Sequence, residues 1–136
     1  MERYQVSFYS DFSEADRYAV ILTNRLQSYY GSKMNPKVSF HINFVLRELL
    51  NNAVEHGNAF DRNKKVMCSI CCDNQMVIIC VRDEGAGFSL DMTAAPETNG
   101  ANQQRSRGLW MIQQLGLTLN IKGNQVKAIY YWRVSR

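Results

Sequence analysis

The sequence predicts an α+β two-layer sandwich in which a mixed, mostly antiparallel sheet is covered on one face by helices. Two observations carry this. The first half holds two long stretches whose apolar residues recur at helical spacing, and the second half holds short apolar runs joined in pairs by tight polar turns. The order is strand, helix, helix, two strands, loop, helix, two strands. It lacks the repeated strand–helix–strand crossovers of a doubly wound parallel fold, and blocks of this kind segregate their helices to one side of the sheet.

Tyr4 to Tyr9 alternates as a strand does. Ser10, Asp11 and Ser13 then offer caps for a helix from about Glu14 to Tyr30, in which Ala15, Tyr18, Ala19, Leu22 and Leu26 form the apolar stripe and Gly31 is the terminator. Pro36 is placed to open a second helix reaching about Glu55, with Phe40, Phe44, Leu46, Leu49, Leu50 and Ala53 along it and Gly57-Asn58 at its end. Val66–Cys72 and Met76–Arg82 flank Asp73-Asn74-Gln75 and read as a hairpin. Gly85 to Arg107 has little periodicity and many small or polar residues; so long a loop in one domain is usually functional or disordered. Gly108 to Leu115 reads as a helix, and Leu117–Lys122 with Val126–Val134 as a closing hairpin around Gly123-Asn124.

At 136 residues, with 46% hydrophobic and 21% charged residues, the chain suits one soluble domain with a real core. Its net charge of +4 comes from basic residues scattered along the chain, whereas a nucleic-acid binder gathers them into a stripe, so no direct nucleic-acid contact is expected. No apolar run approaches the length that crosses a bilayer, and no signal core follows the N-terminus; the expectation is a cytoplasmic protein without membrane contact. Cys68, Cys71, Cys72 and Cys80 lie in strand-like text with no partners to complete a zinc site, and read as small buried hydrophobes in a reducing compartment.

Three segments carry chemistry. In Leu46–Asn58, residues Glu48, Asn52 and His56 are spaced by four and share one helix face. An amide oxygen at Asn52 can ligate Mg²⁺ without adding charge, leaving the Glu48 carboxylate free to accept a proton. In Val81–Phe88, Asp83 ends an apolar strand where it can accept from an exocyclic amine such as that of adenine, and Gly85 and Gly87 let the backbone approach a ligand closely. In Arg105–Ile112, a helix N-terminus near Gly108 offers free amides and a positive dipole end to phosphate, with Arg105 and Arg107 adding charge. Taken singly, the first reads by preference as an amphipathic helix with a polar flank, the second is weak evidence beside a strand-ending turn, and the third reads also as a solvated basic turn. No GxxxxGK is present, which excludes a P-loop.

In this order, the three segments resemble the N, G1 and G2 boxes of the GHKL ATPase superfamily, and the resemblance spans nearly the whole chain. It implies the Bergerat ATP-binding fold over residues 1–136 as a single domain, with ATP and Mg²⁺ as cofactors and a lid over residues 89–107. Within the superfamily, Glu48-x-x-x-Asn52-Ala53-x-x-His56-Gly57 is similar to the form found in the anti-sigma-factor serine/threonine kinases, which are free-standing domains of this size. That likeness implies Glu48 as the general base, Asn52 as the Mg²⁺ ligand and Asp83 as reader of the adenine amino group. It further implies Gly85 and Gly87 shaping the base pocket, and Gly108 with Leu109 opening a phosphate-facing helix. The likeness also places His56 among the nucleotide-binding residues, and as a helix-end histidine its other reading, slightly favoured, is that it satisfies nearby carbonyls. The chain departs from relatives at Ser106, where a glycine is usual, and at Asn124, where a threonine often follows the glycine.

The function implied is phosphorylation of a STAS-type (anti-anti-sigma) protein by a kinase, a homodimer like its relatives, that also sequesters a sigma factor or similar regulator. Two alternatives stand beside it: a non-catalytic module that keeps ATP as a structural ligand, and the detached ATP-binding domain of a histidine kinase. An intact Glu48 argues against the first, and the absence of a separate helical hairpin bearing a phosphoacceptor histidine argues against the second.

Overall fold

The computed structural model describes residues 1–88 and 103–132, in the order β1 (Glu2–Tyr9), α1 (Phe12–Tyr30), α2 (Pro36–Asn52), β2 (Lys65–Cys72), β3 (Met76–Arg82), α3 (Gln103–Gln114), β4 (Thr118–Lys122) and β5 (Gln125–Tyr131). Residues 89–102 of the expected lid lie outside the described residues.

Local chemistry sets the first two helices. The Asp11 carboxylate accepts from Ser13 N at 2.7 Å and caps α1, which therefore starts at Phe12, two residues before the sequence suggests. Gly31 ends it at φ +61°, a left-handed conformation that costs other residues a Cβ clash. Asn35 caps α2 by accepting from Val38 N at 2.9 Å, with Pro36 at the first helical position. The helical hydrogen bonding then changes: Ala53–Gly57 is a π-helical turn, a local widening often found at functional sites.

The strands form one sheet in the order β1-β2-β3-β5-β4, and every pairing is antiparallel. The sheet is thus antiparallel throughout its described strands rather than mixed. Alternation sorts its faces: Val66, Cys68, Ile70 and Cys72 of β2 and Val77, Ile79 and Val81 of β3 point to the buried side. Against them pack Leu22 and Leu26 of α1, Leu46 and Leu50 of α2, and Leu109 and Ile112 of α3. Cys68 and Cys72 are buried as expected, and burial pushes the Cys68 thiol up to about 12, which keeps it unreactive. Cys71 and Cys80 differ, being half-buried on the opposite face of the sheet, because the period of two sends odd and even residues to opposite sides.

Ile79 sits fully buried on the central strand. Ile79→Ala is expected to lower unfolding stability by about 2–5 kcal/mol through lost transfer energy and the cavity left behind. Urea denaturation checks this as a fall in midpoint at unchanged slope.

α3 is the element the sequence misjudges. It begins at Gln103, not near Gly108, because Gln103-Gln104-Arg105-Ser106-Arg107 contains no helix breaker and Gln and Arg are good helix formers. The buried face of α3 is Arg105, Leu109 and Ile112, and its first member is charged, which hides the helical period from an apolar count.

Candidate functional site

Two adjoining cavities lie beside α2. The larger, of about 460 Å³, opens between three helices: Phe12 and Asp16 of α1, Phe44, Glu48, Asn51 and Asn52 of α2, Glu55 and His56 of the π turn, and Arg107, Gly108 and Met111 of α3. The smaller lies deeper, between α2, α3 and the sheet, and is lined by Leu49, Asn52, Ala53, Val81, Asp83 and Phe88 with Arg105, Leu109 and Val126. Asn52 lines both cavities, so α2 places one amide at the junction of an open groove and a more enclosed slot.

The structure brings together Glu48, Asn52 and His56, as their spacing predicts, although His56 stands on the π turn rather than on the α-helix. Glu48 is half-buried, and burial raises its carboxyl above the ordinary value of 4.5; Arg47 opposes this and Glu55 adds to it. Asn52 is 8% exposed, and its Nδ2 has no hydrogen-bond partner among the described residues. A buried amide in that state is suited to receive a ligand. His56 Nε2 is likewise buried without a partner among the described residues, so it does not satisfy carbonyls through that atom. Burial lowers its pKa below 6.5, which leaves the ring neutral at pH 7.

Asp83 is 4% exposed and fixed from three sides. Its backbone N–H donates to Asn124 O at 3.1 Å, its carbonyl accepts from Asn124 Nδ2 at 2.7 Å, and its Oδ1 accepts from Gly85 N at 2.8 Å. Burial raises its pKa, against the lowering effect of Gly85 N–H and Arg105. Asn124, a departure from the usual hairpin text, thus secures the backbone of Asp83 through both side chain and main chain.

A second support was not legible in the sequence. Asn58, buried after the π turn, donates from Nδ2 to Ser10 Oγ at 2.8 Å and Lys65 O at 3.0 Å, while its Oδ1 accepts from Glu84 N at 2.7 Å. It ties the start of the sheet to the turn that carries Asp83. As a residue after a helix it looks only like a terminator; the distant partners that give it this task adjoin it only in the fold.

Absent side chains complete the site. A Cβ on Gly108 would collide with the Glu48 carboxylate, and one on Gly57 with the Asp83 carboxylate. Gly85 packs against Gly57 O, and Gly87, at φ +87°, packs against Gly123. The roles expected of Gly108 and Leu109 need correction: Gly108 is the sixth residue of α3, beyond the first turn whose amides are free, and Leu109 is a buried wall of the small slot. Gly108 instead permits close approach of α3 to Glu48. Arg105 is also displaced from its expected place facing phosphate. It is 6% exposed, with its guanidinium 3.8 Å from Asp83 Oδ2 and 3.3 Å from the centre of the Phe88 ring, while Arg107 is the cation in the open groove.

An antiparallel sheet backed by helices, with a carboxylate–amide pair in a groove and a buried aspartate in a slot beside it, defines an α+β nucleotide-binding sandwich. The family described as the histidine kinase-like ATPase domain matches residues 15–130, and the chain belongs to that family. The GHKL resemblance and the Bergerat-type fold hold with it. A search of curated proteins gives no match. Among the described residues no helix is long and apolar enough to cross a membrane.

Proposed function

We propose that this ATPase-type domain is an ATP-dependent serine/threonine protein kinase of the anti-sigma kind, which phosphorylates a STAS-type protein and reversibly holds a sigma factor or similar regulator. The observation that carries the kinase reading is the pairing of Glu48 and Asn52 in one open groove. A domain that only retained a nucleotide would need no base there, and the Glu48 carboxyl is moved by burial toward the range useful to a general base. The identity of the partners rests on the similarity of the Glu48–Gly57 text to that kinase group.

The residues fit ATP and Mg²⁺. Asn52 carries an uncharged amide oxygen into the groove that Glu48 also lines, and among the described residues no cluster of three or more His, Cys, Asp or Glu competes as a metal site. Mg²⁺ takes few protein ligands and keeps water and phosphate oxygens for the rest, which one amide at the groove allows. Asp83 accepts from an exocyclic amine, and the apolar walls of the slot receive a flat base. When bound, Mg-ATP supplies the phosphoryl group. Glu48 orients the attacking hydroxyl and takes its proton at a carboxylate oxygen, Arg107 supplies positive charge in the groove, and Phe12, Phe44 and Met111 give that groove apolar walls. In such transfer the protein chiefly positions groups and stabilises charge.

Calorimetric titration with Mg-ATP, and with Mg-GTP as control, tests this reading. Saturable binding that prefers ATP is expected, and Asn52→Ala is expected to remove the Mg²⁺-dependent part of it. Incubation with a STAS-type protein should then yield acid-stable phosphate on serine or threonine. Acid-labile phosphate on histidine would favour the histidine-kinase alternative, and binding without transfer the structural-ligand one.

A further inference from the structure

We propose that Arg105 is a built-in occupant of the base pocket, lying where a nucleobase must go and leaving when one binds. This rests on the reading of the Asp83 slot as the seat of adenine.

The guanidinium makes the contacts a flat aminated base would make. It lies over Phe88 at 3.3 Å from the ring centre and faces the Asp83 carboxylate at 3.8 Å, between the apolar walls of Leu49, Val81 and Val126. A guanidinium is planar and delocalised, stacks on aromatic faces, and presents N–H donors at its edge. An aminopurine offers the same combination of flat face and donor edge. With Arg105 in place, only about 10 Å³ remains in the slot, room for one water at most. Adenine cannot share it.

The arrangement is also poised to open. Arg105 is almost fully buried, its Nε has no hydrogen-bond partner among the described residues, and its contact with Asp83 is long for a charge-assisted bond. Burial outweighs attraction on both partners, lowering the Arg105 pKa to about 10 and raising that of Asp83. Rotation of the side chain into water restores its solvation and frees the carboxylate at once. Arg105 stands on the first turn of α3, at the end of that helix rather than within it. A binding-competent state populated only in part reduces apparent affinity by that fraction. Nucleotide affinity would therefore be set by Arg105 as well as by the groups that touch ATP.

Calorimetry of wild type and Arg105→Ala with Mg-ATP and with adenosine separates the possibilities. Both ligands are expected to bind the variant more tightly, by a common factor of roughly 5–50, since the population penalty removed does not depend on phosphate. If wild type binds ATP and the variant binds it equally or more weakly, the proposal is overturned; weakening of ATP with adenosine unchanged would assign Arg105 to phosphate. If neither protein binds either ligand, the adenine reading of the slot falls and the occupant with it. Should Arg105→Ala not fold, Arg105→Lys carries the same test. It keeps charge and stem but loses the flat fork, and is expected to tighten both ligands by a smaller common factor.

Discussion

Glu48→Gln is expected to reduce phosphoryl transfer by about 10²–10⁴-fold, the usual contribution of a positioned general base, while Mg-ATP affinity is retained. The substitution keeps shape and polarity, so Gly108 can still approach the side chain, and only the ability to take a proton is lost. The same carboxylate makes a claim on pH. Burial raises its pKa above 4.5, so the acidic limb of the wild-type rate profile should lie above the position of an ordinary glutamate and vanish in the variant. Stability should move the opposite way. Between 4.5 and the folded pKa the native state holds more proton than the unfolded one, so native stability falls as pH rises through that window and stays reduced above it. Glu48→Gln is therefore expected to melt at a higher temperature than wild type at pH 7, with the advantage shrinking as pH falls toward 4. A variant that transferred phosphate at the wild-type rate would remove Glu48 from the chemistry, whatever its melting temperature.

A site that costs stability in its ionised form is hard to see in sequence but not invisible. Glu48 and Asn52 were legible because spacing by four on a helix fixes their shared face whatever packs around it. The place of Asp83 was legible, just past an apolar strand and before two glycines, but that text alone reads equally as a strand-ending turn. The sheet was legible from alternation and turn text, which are local. What the sequence did not disclose depends on contacts between distant segments. Asn58 acquires its task from Ser10, Lys65 and Glu84. The π turn at Ala53–Gly57 leaves no mark in hydropathy, yet it sets where His56 and Gly57 stand. Arg105 was misplaced for a related reason: a charged residue is expected to face water, and the rule fails where one acidic partner and an aromatic ring are buried beside it. With the arginine counted as a surface residue, the first turn of α3 lost the member that joins it to Leu109 and Ile112.

Gly57→Ala should damage base recognition. The added Cβ would meet the Oδ2, Cγ and Cβ atoms of Asp83, so the whole carboxylate would have to move rather than a flexible tip. Asp83 has little freedom to do so, because Asn124 grips its backbone on both sides and Gly85 N holds Oδ1. Overpacking of a well-fitted interior costs about 1–3 kcal/mol, and that loss is expected in urea denaturation. ATP affinity should fall at least about tenfold, since each 1.4 kcal/mol of misfit is a factor of ten. A double-mutant cycle decides whether the carboxylate is the cause. In an Asp83→Ala background, Gly57→Ala should cost little, giving a coupling within the ~0.5–3 kcal/mol range of residues in contact. Equal cost in both backgrounds would place the strain in the π turn itself. The distinction matters because Gly57 ends the same turn that begins just after Asn52. If the strain is relieved through Asp83, one glycine couples that carboxylate to the helix that carries Glu48 and Asn52, and the two cavities are expected to respond to nucleotide as a unit.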